Sequence, residues 1–154
     1  AHIQGLEPGE VFPYAPPSGQ PALRERWRDK ALAEHPALRG KAVGLPIVTS
    51  AITHGLMLVG DLFVDPGDPI VLPDKLWGNY RLTYEVRLGA SISTYPFYDG
   101  SGFNNEGFAK TLTDRAAEHE KLIVLLNFPN NPPGHWGLVI KNVFKGAISQ
   151  FLFF

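Results

Sequence analysis

The sequence contains no cysteine. That excludes a disulfide framework and any thiolate metal site, and it fits a reducing compartment. No apolar run is long enough to span a bilayer, and the opening AHIQGLEPGE lacks the basic and apolar regions of a secretory leader. The cytoplasm is therefore the expected location, with no membrane partner. Positive charge is never grouped into a block: Arg24, Arg26, Arg28 and Lys30 are interleaved with Glu25 and Asp29, the pattern of a solvated helix face, and the net charge is -1. Nucleic acid is accordingly not an expected partner. His54 has no companion at metal-ligand spacing among His2, His35, His119 and His135, so it reads as a helix-start residue and no metal site is expected. Neither G-x-G-x-x-G nor G-x-x-x-x-G-K-[ST] occurs, which argues against a nucleotide-binding module.

What is present suits one α/β domain. With 154 residues and 44% hydrophobic content, the chain can bury a substantial core. Residues Glu7 to Gln20 are rich in proline and glycine and predict an irregular segment. Pro21 suits a first helical position, and Leu23, Trp27 and Ala31 form one stripe of a helix ending near His35 and Pro36. Gly44 to Ser50 reads as a strand and His54 to Phe63 as the helix after it. Asp65-Pro66-Gly67-Asp68 is a turn by composition, and Pro69 to Pro73 a short buried strand. Asn79 to Leu88 predicts a helix closed by Gly89, and Ser91 to Phe97 a strand. Glu106 to His119 predicts a helix with Phe108, Leu112 and Ala116 on one face. Leu122 to Leu126 has the length of a buried parallel strand.

The stretch after that strand, NFPNNPPG from Asn127 to Gly134, organises the rest. Its successive prolines remove backbone donors and fix φ, giving a rigid loop that presents Asn130 and Asn131 at a strand's carboxyl end, where open α/β sheets bind ligands. Read alone it is also an ordinary turn whose asparagines bond to backbone. With its neighbours it resembles the N-P-T-G loop of the class I/II aminotransferases, the fold-type I pyridoxal phosphate (PLP) enzymes. YAPPSGQPALRE resembles the family's Y-x-x-x-x-G-x-x-x-L-R segment. The turn Ser50 to Thr53, the D-P-G-D turn with its strand, and the W-G-N of Trp77 to Asn79 follow in the family's order. The resemblance runs from about Tyr14 to Gly134.

It implies a mainly parallel sheet with flanking helices, part of the family's large cofactor-binding domain, spanning residues 1–134. It also implies PLP as cofactor and amino-group transfer between an amino acid and a 2-oxo acid. By the same resemblance, main-chain groups of Ile52 and Thr53, with the Thr53 hydroxyl, bind the phosphate. A helix's first turn suits a dianion in general, through its unpaired N–H groups and positive dipole end. Trp77 takes the position that stacks on the pyridine ring, Asn131 the one that bonds its phenolic oxygen and the substrate carboxylate. Tyr14 would reach the partner's cofactor phosphate across a homodimer or higher oligomer. Read without the family, Trp77 is equally a core tryptophan and Tyr14 an aromatic packed among prolines.

Residues 135–154, HWGLVIKNVFKGAISQFLFF, match nothing in the family. No Asp or Glu follows Glu120, and Lys141 and Lys145 do not stand in the serine-rich loop that carries the family's cofactor-bound lysine. PLP chemistry needs that lysine and an acid on the ring nitrogen. The chain by itself is therefore expected to be inactive, and the alternative reading is a non-catalytic fragment acting as a structural or interaction domain. Gly137 to Asn142 and Ala147 to Phe154 read as two β-prone segments. The family's sheet order, as read here, separates the strand near Val124 from that near Val71.

Overall fold

The computed structural model describes residues 5–100 and 102–134. The chain divides into two compact units, residues 1–55 and 56–154. The apolar segments beyond Gly134 lie outside the described residues.

The first unit holds a short helix α1 (Pro8–Val11), the long helix α2 (Pro21–Glu34) and a single 3₁₀ turn (Pro36–Leu38). Pro21 opens α2 and His35 ends it, as the sequence predicts. Its apolar stripe is not covered, however: Leu23 is 50% and Trp27 59% exposed. Gly44 to Ser50 is a further difference from expectation, because no strand forms there. A strand exists only by pairing. Here the segment's carbonyls are taken by a side chain instead, Arg24 Nε donating to Pro46 O at 2.6 Å, while Pro46 itself has no donor to offer a ladder. Helix α3 (Ile52–Phe63) follows, starting two residues before the predicted His54.

The second unit is built on a three-stranded parallel sheet of order β2-β1-β3, with β1 at Pro69–Pro73, β2 at Ser91–Tyr95 and β3 at Ile123–Val124. All five residues of β1 are buried, as a central parallel strand covered on both faces requires. Ile70 pairs with Ile92 and Ile123, Val71 with Ser93 and Val124. This corrects the expected order, since β3 lies directly beside β1. Among the described residues the outer edges of β2 and β3 carry no further strand.

Alternation along the strands sorts the core onto two faces. One face packs Val71, Tyr95, Val124 and Leu126 with Phe97, Phe103 and the α4 residues Phe108 and Leu112, where α4 spans Asn105–Glu118. The other packs Ile70, Leu72 and Leu125 with Leu56, Val64, Tyr80 and Tyr84. Each fully buried side chain of this size contributes roughly 1.5–3 kcal/mol by leaving water. Asn104 caps α4 by accepting from Gly107 N at 2.8 Å. A Cβ at Gly107 would lie 2.5 Å from the Asn104 amide nitrogen, so glycine lets that cap close.

The predicted helix after Trp77 is present but is wound with i→i+5 spacing over Arg81–Val86, Arg87 N donating to Leu82 O at 3.1 Å. Gly89, at φ +71°, closes it. The turn Asp65 to Asp68 forms with Asp68 N on Asp65 O at 3.0 Å, and Lys121, just ahead of β3, bridges both carboxylates.

Candidate functional site

In the first unit, the phosphate-binding candidates stand at the start of α3. Gly55 N donates to Ala51 O at 3.2 Å, closing the first helical turn. The amides of Ile52 and Thr53 within that turn therefore have no carbonyl of their own helix to bond. The Ile52 side chain is 72% exposed, so its contribution to a ligand is main-chain. His54 Nδ1 accepts from Ser50 N at 3.2 Å and lies 3.2 Å from Ser50 Oγ, which makes it the helix-start residue expected. Thr49 Oγ1 donates to Ala51 O at 3.0 Å.

The approach to this turn is set by Arg24, which the sequence placed on a solvated face. Instead its guanidinium turns inward, with Nε on Pro46 O at 2.6 Å, one terminal nitrogen on Ser18 Oγ at 2.9 Å and the other on Leu45 O at 3.4 Å. Val48 N adds a bond to Ser18 O at 3.0 Å. The signal was in the Y-x-x-x-x-G-x-x-x-L-R pattern, whose last residue is Arg24, while the charge pattern of α2 hid it. Tyr14, in the same pattern, is fully exposed.

In the second unit, the loops leaving the carboxyl ends of three adjacent parallel strands are tied together. Trp77, after β1, is partly buried and meets Tyr80 edge-on with ring centroids 5.6 Å apart. After β3, Asn130 is 2% exposed and its Nδ2 donates to Lys75 O at 2.7 Å. Gly134 N bonds back to Asn130 O at 2.6 Å, closing a turn around the exposed Asn131. Asp74 reaches the third loop, accepting from Phe97 N at 2.9 Å while its own amide bonds Tyr95 O at 2.8 Å. The sequence singled out the two asparagines together; the structure gives them opposite tasks, Asn130 as an anchor and Asn131 as a surface group.

Burial shapes the phenols beneath these loops. It pushes the Tyr80 hydroxyl up, against a hydrogen bond from Asn127 that favours the ionised form. Tyr84 is pushed up to about 12, mainly by burial and then by Tyr80, and its hydroxyl donates to Leu56 O at 3.2 Å. Both are neutral at physiological pH and serve the packing under Trp77.

The donor sets fit the two ends of a pyridoxal phosphate molecule taken separately. Open amides and a hydroxyl at the start of α3 suit a phosphate dianion, and an indole and an exposed carboxamide on two loops tied to each other suit a heteroaromatic ring bearing an oxygen. Among the described residues no group of three His, Cys, Asp or Glu is placed to hold a metal ion. No helix among them is long and apolar enough to cross a membrane.

Comparison with known proteins bears on the family and the fold. The probable aspartate/prephenate aminotransferase of Aquifex aeolicus is 30% identical over 134 residues, covering 87% of this chain and 32% of the relative. A crystal structure of an aminotransferase from Anaerococcus prevotii superposes with a TM-score of 0.72 at 22% identity, covering 84% of this chain and 31% of that one. The Pyrococcus horikoshii kynurenine aminotransferase, solved in complex with pyridoxamine phosphate (PMP), has a TM-score of 0.62 at 21% identity, covering 80% of this chain and 30% of that one. This chain thus spans about a third of the length of the proteins it matches, and the shared fold is that of the fold-type I enzymes. The family model of aminotransferase class I and II matches residues 1–136, and the chain belongs to that family.

Proposed function

We propose that residues 1–134 are the portion of a PLP-dependent aminotransferase that receives the cofactor's phosphate and ring, in an enzyme moving an amino group between an amino acid and a 2-oxo acid. The observation that carries this is the lacing of the Trp77 and Asn131 loops at the carboxyl ends of β1 and β3, through Asn130 Nδ2 on Lys75 O at 2.7 Å. Ligands in open α/β sheets sit at that edge.

In this reading Ile52 and Thr53 bind phosphate, with amides at a helix start that favour negative charge. Trp77 holds the plane of the ring, and Asn131 donates to its phenolic oxygen and to the substrate carboxylate. Tyr14, fully exposed in its own chain, is free to serve a second copy, which makes a homodimer or higher oligomer part of the proposal. A cytoplasmic setting belongs to the same reading. PLP, when bound, supplies the electron sink. The residues named here bind and orient it.

A second reading rests on composition: no carboxylate follows Glu120, and neither Lys141 nor Lys145 has the family's context. On that ground this chain alone binds cofactor without turnover, as a non-catalytic fragment with a structural or interaction role. Titration with PLP, followed by borohydride reduction and mass mapping, tests both readings. Saturable binding without a reducible lysine adduct is expected, weakened about five- to tenfold in Trp77→Ala by the loss of stacking. No saturation at millimolar cofactor removes the binding proposal. A stoichiometric adduct on Lys141 or Lys145, with turnover of an amino acid and 2-oxoglutarate that Asn131→Ala abolishes, overturns the second reading.

A further inference from the structure

We infer that Asn130 is a positioning residue, whose buried side-chain amide clamps the loop bearing Trp77 to the loop bearing Asn131 so that the two ring-facing groups move as one body. The inference rests on the reading that Trp77 and Asn131 face a heteroaromatic ligand, and it adds what holds them in register.

Three observations carry it. First, Asn130 is 2% exposed, and its Nδ2 donates at 2.7 Å to a carbonyl 55 residues away in sequence, Lys75 O, two residues before Trp77. A carboxamide buried to this degree needs its partner, because an unpaired buried polar group is costly. Second, the same residue's carbonyl accepts from Gly134 N at 2.6 Å, so Asn130 also closes the turn in which Asn131 is exposed. One residue therefore sets both the anchor of its own loop and the distance to its neighbour. Third, the other bonds given for this stretch run to the loop after β2 or stay local, Asp74 to Tyr95 O and Phe97 N and Trp77 O to Tyr80 N, so the Asn130 bond is what ties it to the Asn131 loop. Lys75 is exposed, its ammonium lying 3.4 Å from the neighbouring Asp74 carboxylate, and Gly78 has open space where a Cβ would be. Trp77 rests edge-on against Tyr80 and packs against the core cluster of Ile70, Leu72, Tyr80 and Leu125. The clamp at Lys75 O adds the link to the Asn131 loop. A binding group held by such a partner keeps its geometry before the ligand arrives, which is where affinity is gained.

Asn130→Asp tests the clamp, since it keeps shape and removes the donor. Asn130→Ala is the second variant should a carboxylate there prevent folding. Both are made in a Trp27→Phe, Trp136→Phe background so that Trp77 is the only indole. The readouts are fluorescence anisotropy and acrylamide quenching of Trp77 well below the melting transition, with affinity for PMP, which cannot attach covalently. Expected are lower anisotropy, quenching raised severalfold, and PMP binding weakened about tenfold or more. A purely structural role lowers the melting temperature and leaves Trp77 in the folded variants unchanged, and that result overturns the inference. If the parent chain shows no PMP binding while Trp77 is still loosened by the substitution, the clamp stands and the cofactor reading falls. On the unsubstituted chain, the Asn130 side-chain amide proton is expected to exchange far more slowly than a free carboxamide; exchange at the free rate overturns the clamp.

Discussion

The two units of this chain use different means to hold their backbone. The second has a continuous apolar core on both faces of β1, with Ile70, Val71, Leu72 and Phe108 wholly out of water. The first has no buried residue among those described; Phe12, Tyr14, Leu23, Trp27, Ile47 and Val48 are all exposed. Its order comes from polar contacts, above all the three donors of Arg24. Hydrophobic burial is the main term that offsets chain entropy, so a unit without it has little stability of its own. The phosphate candidates stand on the polar-braced unit and the ring candidates on the core-backed one.

The largest expected effect tests this contrast directly. Phe108→Ala removes a ring with no exposed surface that packs against Tyr95 at 5.0 Å and Phe103 at 5.8 Å between centroids. A loss of about 3–5 kcal/mol is expected from transfer and cavity terms. Trp27→Ala, in contrast, deletes a side chain 59% exposed whose main contact is Lys30 Nζ at 5.3 Å from the ring. Its cost should stay within about 1 kcal/mol. Urea unfolding followed by far-ultraviolet circular dichroism compares them, and equal losses would mean the first unit has a core after all.

Next in size is Arg24→Met, which keeps the aliphatic stem and removes the donors to Ser18, Leu45 and Pro46. Bonds from a charged donor are worth roughly 1.5–3 kcal/mol. Exchange of the Val48 amide, bonded to Ser18 O, should accelerate about tenfold to a hundredfold as the first unit opens locally. The Leu125 amide, on Val71 O at 3.1 Å, should keep its protection. Acceleration at both would show that the two units open together.

The same contrast explains what the sequence could and could not disclose. β1 was legible because PIVLP is uninterrupted and apolar, the mark of a strand buried on both faces. Helix α4 was legible from Phe108, Leu112 and Ala116 at helical spacing. GLPIVTS has the same local character, yet a strand needs a partner, and propensity carries no information about one. Arg24 was hidden because alternating charge looks alike whether an arginine faces water or a carbonyl. Asn130 and Asn131 look alike in the sequence, and which of them turns inward depends on Lys75 O, 55 residues away. The order of β3 beside β1 is likewise a long-range fact that local pattern does not reach.

The smallest expected effect is electrostatic and lies on the surface of the core-backed unit. Asp61, on α3, takes two bonds from Arg87, just past the wide helix, at 2.8 and 3.2 Å. The Arg87 hydrogen bond first, with the Arg87 charge adding to it, holds the Asp61 carboxyl below its ordinary range. In the unfolded chain the same carboxyl binds its proton more readily. The pair's contribution is therefore fully present above the unfolded pKa of about 4, and it is lost as pH falls through the lower folded value. Lys121 has the opposite sign. The hydrogen bond to Asp68, with that to Asp65 behind it, raises its ammonium pKa, so its contribution holds through neutral pH and fails only as strong alkali passes the raised value. Unfolding midpoints of Asp61→Asn and the parent should thus separate above the unfolded carboxyl pKa of about 4 and converge as pH falls through the lowered folded value, while Lys121→Met separates from the parent at neutral pH and converges in alkali. Both ion pairs are exposed, so 1 M salt should shrink each separation. Because bidentate geometry matters more than charge here, Arg87→Lys should lose most of what Arg87→Met loses; full retention by lysine would show that the bond to Asp61 is a screened contact with no share in how α3 is held.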